Sequence, residues 1–361
     1  MSIKKDKYFI NLANNLARGS LGYTGPNPSV GALIVKKDKV LSFGITSSSG
    51  RPHAEVNAIN RLSNKLKKNS TIYISLEPCA HHGKSPPCVD KIVNSKINRV
   101  VYSINDIDPR TSGKSLKIFK SKNVKVRKNI SNNISKLIYK DYFYSKKKRI
   151  PYVYGKLAVS KDYYLKDKQN FYITNEHSLK TAHVLRSRVN CILTTSKTIN
   201  DDNPRLNCRI NGLNKYSPNV AIIDKNLNIK KKSLVILNAK KNKTFLFYNK
   251  INEKKIKYLK SMKVVLIHTP IKMFNLDFNF ILKKLYNFEI SSLLVEGGKL
   301  LVSTLLDYGV FNEFYLFISE KKLKKNGSLK FKHIKKKLSK KFKNKSFNET
   351  FLNQDNLIHY Y

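Results

Sequence analysis

The sequence has few cysteines, few acidic residues and no long run of apolar residues. Four cysteines in 361 residues are too few for a disulfide scaffold. No stretch approaches the ~20 apolar residues of a membrane span, and the first twenty residues show no secretory signal. We therefore expect a cytoplasmic protein without a membrane partner, in a reducing compartment where clustered cysteines indicate a metal site or catalysis.

Acidic residues are outnumbered by basic ones, 23 to 71, which gives a formal net charge of +48. Such a charge favours nucleic acid or small anionic substrates as partners. The lysines are scattered along the whole chain, however, whereas a nucleic-acid site concentrates its charge on one face. We therefore interpret the charge as compositional drift and expect no nucleic-acid partner. The densest stretch, residues 321–345, is expected to be a solvated surface.

The length and the apolar pattern predict two α/β domains, because 361 residues exceed one ordinary core. The first predicted helix covers residues 6–18, with Asp6 as its cap, and strands alternate with helices up to residue 126. The lysine-rich residues 145–149 have no apolar anchor and are expected to be the domain junction, and the alternation restarts at residue 152. We predict a first domain over residues 1–145 and a second over residues 150–361.

Two of the four cysteines lie in the stretch ISLEPCAHHGKSPPC, residues 74–88. Cys79 follows a predicted strand, Cys88 precedes a predicted helix, and His53 and Glu55 stand upstream in the sequence HAE. One histidine and two cysteines are ligands of the type that zinc takes, and they leave a fourth tetrahedral position for water. Zinc lowers the pKa of such a water, and Glu55 is placed to carry its proton to a leaving amine.

The pairing of H-x-E with a later P-C and a further cysteine is the pattern of zinc-dependent nucleobase deaminases, although eight residues rather than two separate the cysteines here. The competing interpretation is a disulfide between Cys79 and Cys88, which a reducing compartment disfavours. His81 and His82 are ligands by type, but three ligands and a water already complete a tetrahedron. We expect both histidines to be loop residues near the substrate.

The second half has one distinctive short stretch, VEGGK at residues 295–299, between a predicted strand and a predicted helix. Glycines there let the backbone approach a ligand, and a helix N-terminus favours phosphate. A tight strand-to-helix turn explains the stretch equally well. No G-x-G-x-x-G occurs in the sequence, so a standard dinucleotide-binding domain is not predicted.

Three motifs of the first half, TGPNPSVG (24–31), HAE (53–55) and LEPCAHHGKSPPC (76–88), closely resemble those of the bifunctional deaminase/reductases of riboflavin biosynthesis. The resemblance implies a three-layer, cytidine-deaminase-like α/β domain with zinc on the histidine and the two cysteines named above, and Glu55 as proton carrier. It implies that Asn27 helps to hold the pyrimidine, and it makes Lys84 a candidate phosphate partner. An ordinary turn asparagine and a surface lysine are the alternatives.

The resemblance continues in residues 183–209, HVLRSRVNCILTTSKTINDDNPRLNCR, which are similar to the reductase motif of that family. It implies a dihydrofolate-reductase-like domain that uses NADPH. The residues that match substrate contacts of the family are Arg186, Leu206, Arg209 and Glu296. Those that match its NADP contacts are Ala158, Tyr172, Thr198, Asp202 and the turn that begins at Gly298. Two arginines suit a phosphate group by their bidentate geometry.

The implied activity has two steps. The first is hydrolytic deamination of 2,5-diamino-6-(5-phosphoribosylamino)pyrimidin-4(3H)-one, a small phosphorylated pyrimidine. The second is reduction of its ribosyl side chain to ribityl by NADPH. We also expect a homo-oligomer.

The chain departs from the family pattern at several positions. Tyr163 stands where glycine is usual, Tyr172 stands where tryptophan is usual, and DIDP at residues 106–109 replaces D-P-N-P. The segment after residue 318 is lysine-rich and lacks the usual proline. These changes leave open an active deaminase with a catalytically impaired, structural C-terminal domain. A tRNA adenosine-type nucleic-acid deaminase is the other alternative, disfavoured by the cysteine spacing and the long second domain.

Overall fold

The computed structural model describes residues 2–48, 50–63, 67–83, 85–170, 172–348 and 352–361. The chain divides into two compact units, Met1–Arg149 and Ile150–Tyr361. Each unit is built on one main β-sheet of its own.

The first unit alternates helices with the strands of a five-stranded sheet. Its helices are α1 (Ile3–Gly19), α2 (Ala54–Asn60), α3 (Cys88–Asn94), α4 (Lys114–Ser121), α5 (Asn132–Ile138) and α6 (Lys140–Lys148). Its strands are β1 (Gly31–Lys36), β2 (Lys39–Ile45), β3 (Thr71–Ile74), β4 (Arg99–Tyr102) and β5 (Lys125–Arg127).

The sheet of the first unit has the strand order β2-β1-β3-β4-β5. Strand β1 is antiparallel to both β2 and β3, whereas β3, β4 and β5 run parallel. Because parallel strands end at the same edge, the loops that follow β3 and β4 lie side by side. The loop after β3 carries Cys79, one of the three predicted zinc ligands.

Both faces of this sheet are covered, which makes three layers. Phe9 and Ile10 of α1 pack with Tyr73 on one face, and Ile59 of α2 and Ile92 of α3 pack in the cluster on the other. Strands β1 and β3 are almost wholly buried, as expected for strands covered on both sides.

One local prediction for the first unit was wrong. Helix α1 begins at Ile3 with Ser2 as its N-cap, and Asp6 is fully buried and ion-paired with Arg99, whose Nη2 lies 2.6 Å from Asp6 Oδ2. Because the Asp6 carboxylate accepts hydrogen bonds from the Arg99 guanidinium, it does not serve as the helix cap. Residues 145–148 form the last part of α6, and the division between the two units falls directly after Arg149, at the end of the predicted junction.

The second unit carries a nine-stranded sheet. Its helices are α7 (Glu176–Ser187), α8 (Ser196–Asp202), α9 (Leu234–Leu237), α10 (Glu253–Ser261), α11 (Phe278–Asn287), α12 (Lys299–Asp307) and α13 (Ile334–Lys341). Its strands are β6 (Tyr152–Val159), β7 (Tyr164–Asp167), β8 (Cys191–Thr195), β9 (Asn219–Ile223), β10 (Thr244–Tyr248), β11 (Val265–His268), β12 (Ile271–Lys272), β13 (Asn275–Leu276), β14 (Ser292–Glu296), β15 (Glu313–Ile318), β16 (Gly327–Lys330), β17 (Lys345–Asn348) and β18 (Asn356–Tyr360).

The order of the main sheet is β11-β10-β9-β8-β14-β6-β15-β18-β17. The seven strands from β11 to β15 run parallel, and β18 and β17 are antiparallel additions beside β15. Two apolar clusters lie on the two faces of this sheet, one including Phe245 and Leu293 and the other including Ile192 and Leu294. The carboxyl ends of β6, β14 and β8 therefore meet at one edge, where ligands of parallel sheets bind.

Candidate active sites

His53, Cys79 and Cys88 come together at the edge of the first sheet. His53 is the N-cap of α2, Cys79 lies in the loop after β3, and Cys88 is the first residue of α3. Their ligand atoms all lie within 4.8 Å of one another. His53 Nδ1 is 3.3 Å from Cys88 Sγ and 3.6 Å from Cys79 Sγ. Both thiols are free, so the predicted disulfide alternative does not form.

This donor set fits zinc. Bond lengths of about 2.1 Å to nitrogen and 2.3 Å to sulfur at a tetrahedral angle place the donor atoms about 3.6 Å apart. The nitrogen–sulfur distances of 3.3 and 3.6 Å lie close to that value. The three residues therefore offer the geometry of a tetrahedral site with one position left for another ligand.

The contact between the two cysteines shifts their pKa values in opposite directions. The hydrogen bond from the Cys88 thiol is the largest cause that lowers the pKa of Cys79 to about 4, and a contact with His53 adds to it. The backbone N–H of Cys88 also donates to Cys79 Sγ, over 3.2 Å. The same thiol contact, together with burial, raises the pKa of Cys88. Cys79 is thus held as the thiolate, which is the form that binds metals.

Glu55 lies in the first turn of α2 and is only 3% exposed. Burial raises the pKa of its carboxyl group to about 7, against the opposing charge of His53. The group can therefore take up and release a proton near neutral pH.

Asn27 connects two loops of the first unit. Its Nδ2 donates to the carbonyl oxygen of Gly50 over 3.0 Å, and its own carbonyl accepts from Thr24 Oγ1 over 2.7 Å. Gly50 has φ = 81°, and a Cβ there would lie 2.4 Å from Asn27 Nδ2. Glycine is required at this position, which lies three residues before His53. The predicted phosphate partner Lys84 lies outside the described residues.

A buried carboxylate that we did not single out from the sequence holds the neighbouring loop in place. Glu77 is 3% exposed and accepts hydrogen bonds from the backbone N–H groups of Asp106 and Gly113, over 3.1 and 3.0 Å. In the same region His81 Nδ1 lies 3.0 Å from Thr111 Oγ1. The only sequence signal was the position of Glu77 directly before Pro-Cys.

In the second unit, Arg186 and Glu296 form a bidentate ion pair. Arg186 Nε and Nη2 lie 2.7 and 2.8 Å from the two carboxylate oxygens of Glu296, and the side chains are 14% and 11% exposed. Burial alone would raise the pKa of Glu296, but Arg186, and then Lys156, outweigh burial and lower that pKa to about 2.

Lys156 is a residue of this site that we did not predict. It stands opposite Glu296 in the register of β6 and β14. Burial lowers the pKa of its ammonium group, and the charge of Glu296 opposes that effect. Sequence alone could not pair two residues that lie on separate strands and far apart along the chain.

The loop of residues 203–209 contains two of the predicted substrate contacts. Leu206 is buried, with φ = 49°, a conformation that is rare for leucine. Arg209 is exposed, and its Nη1 lies 3.1 Å from Asn207 Oδ1. Arg186 Nη1 lies 3.3 Å from the carbonyl oxygen of Asn207, which joins this loop to the ion pair.

Three of the predicted cofactor residues lie at one edge of the large sheet. Ala158 is near the end of β6, Thr198 is in the first turn of α8 directly after β8, and Gly298 is the N-cap of α12 directly after β14. Asp202 ends α8 and accepts from Lys166 Nζ over 2.7 Å, and Tyr172 is 48% exposed.

The turn before α12 fits a phosphate-bearing cofactor such as NADPH. A Cβ built on Gly298 meets no atom within 4 Å, so the space beside this backbone is open. The helix that follows has nine residues, and its N-terminal N–H groups favour an anion. In addition, the Thr194 hydroxyl, one residue before the end of β8, is buried without a hydrogen-bond partner in the described parts of the chain.

Comparison with known proteins agrees with both halves. Residues 3–104 match the cytidine and deoxycytidylate deaminase zinc-binding region, and residues 151–330 match the RibD C-terminal domain. The riboflavin biosynthesis protein RibD of Aquifex aeolicus is 34% identical over 318 residues, which cover 88% of this chain and 87% of that protein. The chain belongs to the RibD family.

Solved structures of RibD proteins share its fold. RibD of Acinetobacter baumannii superposes with a TM-score of 0.85 at 24% identity, over 99% of both chains. The diaminohydroxyphosphoribosylaminopyrimidine deaminase/5-amino-6-(5-phosphoribosylamino)uracil reductase of Thermotoga maritima does so with a TM-score of 0.81 at 25% identity, over 99% of this chain and 98% of that one. The predicted fold class, a cytidine-deaminase-like domain followed by a reductase domain, is confirmed.

As a RibD family member, the chain joins a zinc-dependent deaminase to an NADPH-dependent reductase of riboflavin biosynthesis, and this prediction is confirmed. Neither the nucleic-acid deaminase nor the purely structural C-terminal domain finds support. Across the described residues, each helix is too short or too polar to cross a membrane.

Proposed function

We propose that residues 1–145 bind zinc through His53, Cys79 and Cys88 and deaminate the phosphoribosylamino-pyrimidinone, with Glu55 as the proton carrier. The observation that carries this proposal is the approach of three ligand atoms within 4.8 Å, beside a buried carboxylic acid. Three ligands leave one coordination position for the chemistry, as in catalytic zinc sites.

When bound, zinc polarises a water molecule and makes it a nucleophile near neutral pH. The Glu55 carboxylate accepts a proton from the attacking water and delivers it to the departing amino group. A carbon–oxygen bond forms as the carbon–nitrogen bond breaks, and ammonia leaves. Because Glu55 is buried, its proton does not exchange freely with bulk water during the transfer.

The pyrimidine and its phosphate need separate partners. We assign the pyrimidine to Asn27, whose loop is fixed by the hydrogen bond to Gly50. Lys84 stands between the two cysteines in the sequence, and a lysine there suits the 5′-phosphate as a point charge.

For residues 150–361 we propose reduction of the deaminated product. NADPH, when bound, supplies the hydride that opens the ribosyl ring to a ribityl chain. Arg186 and Glu296 orient polar groups of the sugar through their fixed bidentate pair, Leu206 provides an apolar wall, and Arg209 pairs with the phosphate. We assign the cofactor to a larger set of residues. These are Ala158, Tyr172, Thr198, Asp202 and Gly298.

The remaining proposals concern the oligomeric state of the protein, its location in the cell and its partners. We propose a homo-oligomer that works in the cytoplasm, where the two cysteine ligands stay reduced. We propose that nucleic acid is not a partner, because the lysines are spread along the whole chain.

One coupled assay tests both halves. The full chain is incubated with the diamino pyrimidinone and NADPH, and ammonia release and NADPH oxidation are followed together. We expect both signals, with about one zinc per chain. Ammonia without NADPH oxidation would contradict the reductase half.

Glu55→Gln is the matched variant for the deaminase half. The amide has the shape of the acid but cannot accept the proton, so we expect retained zinc and at least a 100-fold loss of ammonia release. Reduction of pre-formed deaminated substrate should be unchanged, because Glu55 belongs to the other unit. Wild-type ammonia release by this variant would refute the assigned role.

A further inference from the structure

His183 holds the substrate loop of the second unit from outside the site. Its side chain lies on α7, is 9% exposed, and places Nδ1 3.1 Å from the carbonyl oxygen of Asn207. The N–H of Arg209 is 3.4 Å from the same nitrogen. Arg186, less than one turn later on α7, reaches the same carbonyl over 3.3 Å. His183 and Arg186, both on α7, therefore contact the same backbone carbonyl, that of Asn207.

The loop of residues 203–209 contains strained backbone that needs such stabilising contacts. Leu206 adopts φ = 49° and Asn203 adopts φ = 40°, and a left-handed conformation costs free energy for a leucine. Leu206 is nonetheless 3% exposed and packed in an apolar cluster with Ile199. A strained residue keeps its conformation only when surrounding contacts over-determine it. Besides this packing, the hydrogen bonds to Asn207, the next residue, restrain the loop.

His183 is suited to this task as a neutral donor. Burial, followed by the charges of Arg186 and Arg209, lowers the pKa of its imidazole to about 4. A neutral imidazole carries one N–H, and the shorter contact favours a proton on Nδ1 that donates to Asn207. It adds no third positive charge beside the two arginines.

We propose that His183 is a positioning residue of the reductase reaction: its hydrogen bond to Asn207 fixes the loop of residues 203–209 so that Leu206 and Arg209 meet the substrate. The residue acts through the loop and does not touch the reacting atoms. The inference rests on the proposed function of the second unit.

The test uses the full chain with His183→Leu, His183→Asn and the control His177→Leu. His177 is an exposed residue in the first turn of the same helix. Loss of the donor leaves the half-buried Asn207 carbonyl with only the longer hydrogen bond from Arg186 among the described contacts, so we expect the KM for the deaminated substrate to rise about tenfold in His183→Leu. The KM for NADPH should not change. The Asn side chain has an N–H near the position of Nδ1 and should restore the KM to within about threefold.

Ammonia release by the same chains and their melting temperatures are measured in parallel. A wild-type substrate KM in His183→Leu would overturn the inference, and so would an equal defect in His183→Asn. A fall in kcat with both KM values unchanged would indicate lost folded protein alone and would overturn it too. If the wild-type chain oxidises no NADPH, the proposed reductase function fails and this inference with it.

Discussion

The buried pair of Arg186 and Glu296 should make the second unit sensitive to acid in a predictable way. The pKa of Glu296 is lowered from 4.5 to about 2, which corresponds to about 3 kcal/mol of stability at pH 7. A carboxylate with a depressed pKa stabilises the folded state above its unfolded-state pKa, and this stabilisation is lost as the pH falls through the folded-state value. About 1 kcal/mol should remain at pH 3.

The perturbation is Glu296→Gln, and the measurement is the free energy of unfolding of the full chain at pH 7 and pH 3. We expect wild type to exceed the variant by about 3 kcal/mol at pH 7, a difference that shrinks by about 2 kcal/mol at pH 3. The control is Glu176→Gln, which removes the exposed ion pair with Lys180 on α7 and should leave the stability nearly unchanged at both pH values. A wild-type advantage that is the same at both pH values would refute the electrostatic argument.

Two further predictions concern the first unit. Removal of zinc with a chelator should abolish ammonia release and lower the melting temperature, while NADPH oxidation with pre-formed substrate persists; deamination by metal-free protein would contradict the metal assignment. Gly50→Ala should raise the deaminase KM several-fold and cost about 1–2 kcal/mol of stability, because a Cβ at φ = 81° meets Asn27 Nδ2 at 2.4 Å. Unchanged kinetics in that variant would mean that Asn27 does not contact the pyrimidine.

The clustering of His53, Cys79 and Cys88 could be predicted because its signal in the sequence is local. His53 is the N-cap residue of a helix, Cys79 follows a strand and Cys88 begins a helix. Each of these positions can be recognised from a few neighbouring residues in the sequence. The parallel strands were also predictable, since apolar runs bounded by turns mark strands covered on both faces.

The contacts of the second site could not be predicted in the same way. Arg186 and Glu296 are 110 residues apart, and Glu296 meets Lys156 only through strand register. Periodicity places such residues on strands and helices but does not say which strands become neighbours.

The lysine-rich residues 321–345 do not form only the solvated surface that was predicted for them. Its many lysines suggested a solvated surface, yet Ile334 and Leu338 of α13 are fully buried, as is most of Phe342. The four-residue spacing of these apolar residues is that of a helix face, and the surrounding positive charge masked it. A helix whose other positions are almost all lysine can still pack against the core through one narrow row of apolar residues.

Strand β18 has a consequence for how the protein is made. Residues 356–360 lie between β15 and β17, so the outermost strand is synthesised before the strand that attaches it to the sheet. On the ribosome, the first unit can complete its sheet while the second is still being translated. The edge of β15 that pairs with β18 therefore stays unpaired until residue 360 has emerged. During that interval this edge is available for pairing with strands of other chains.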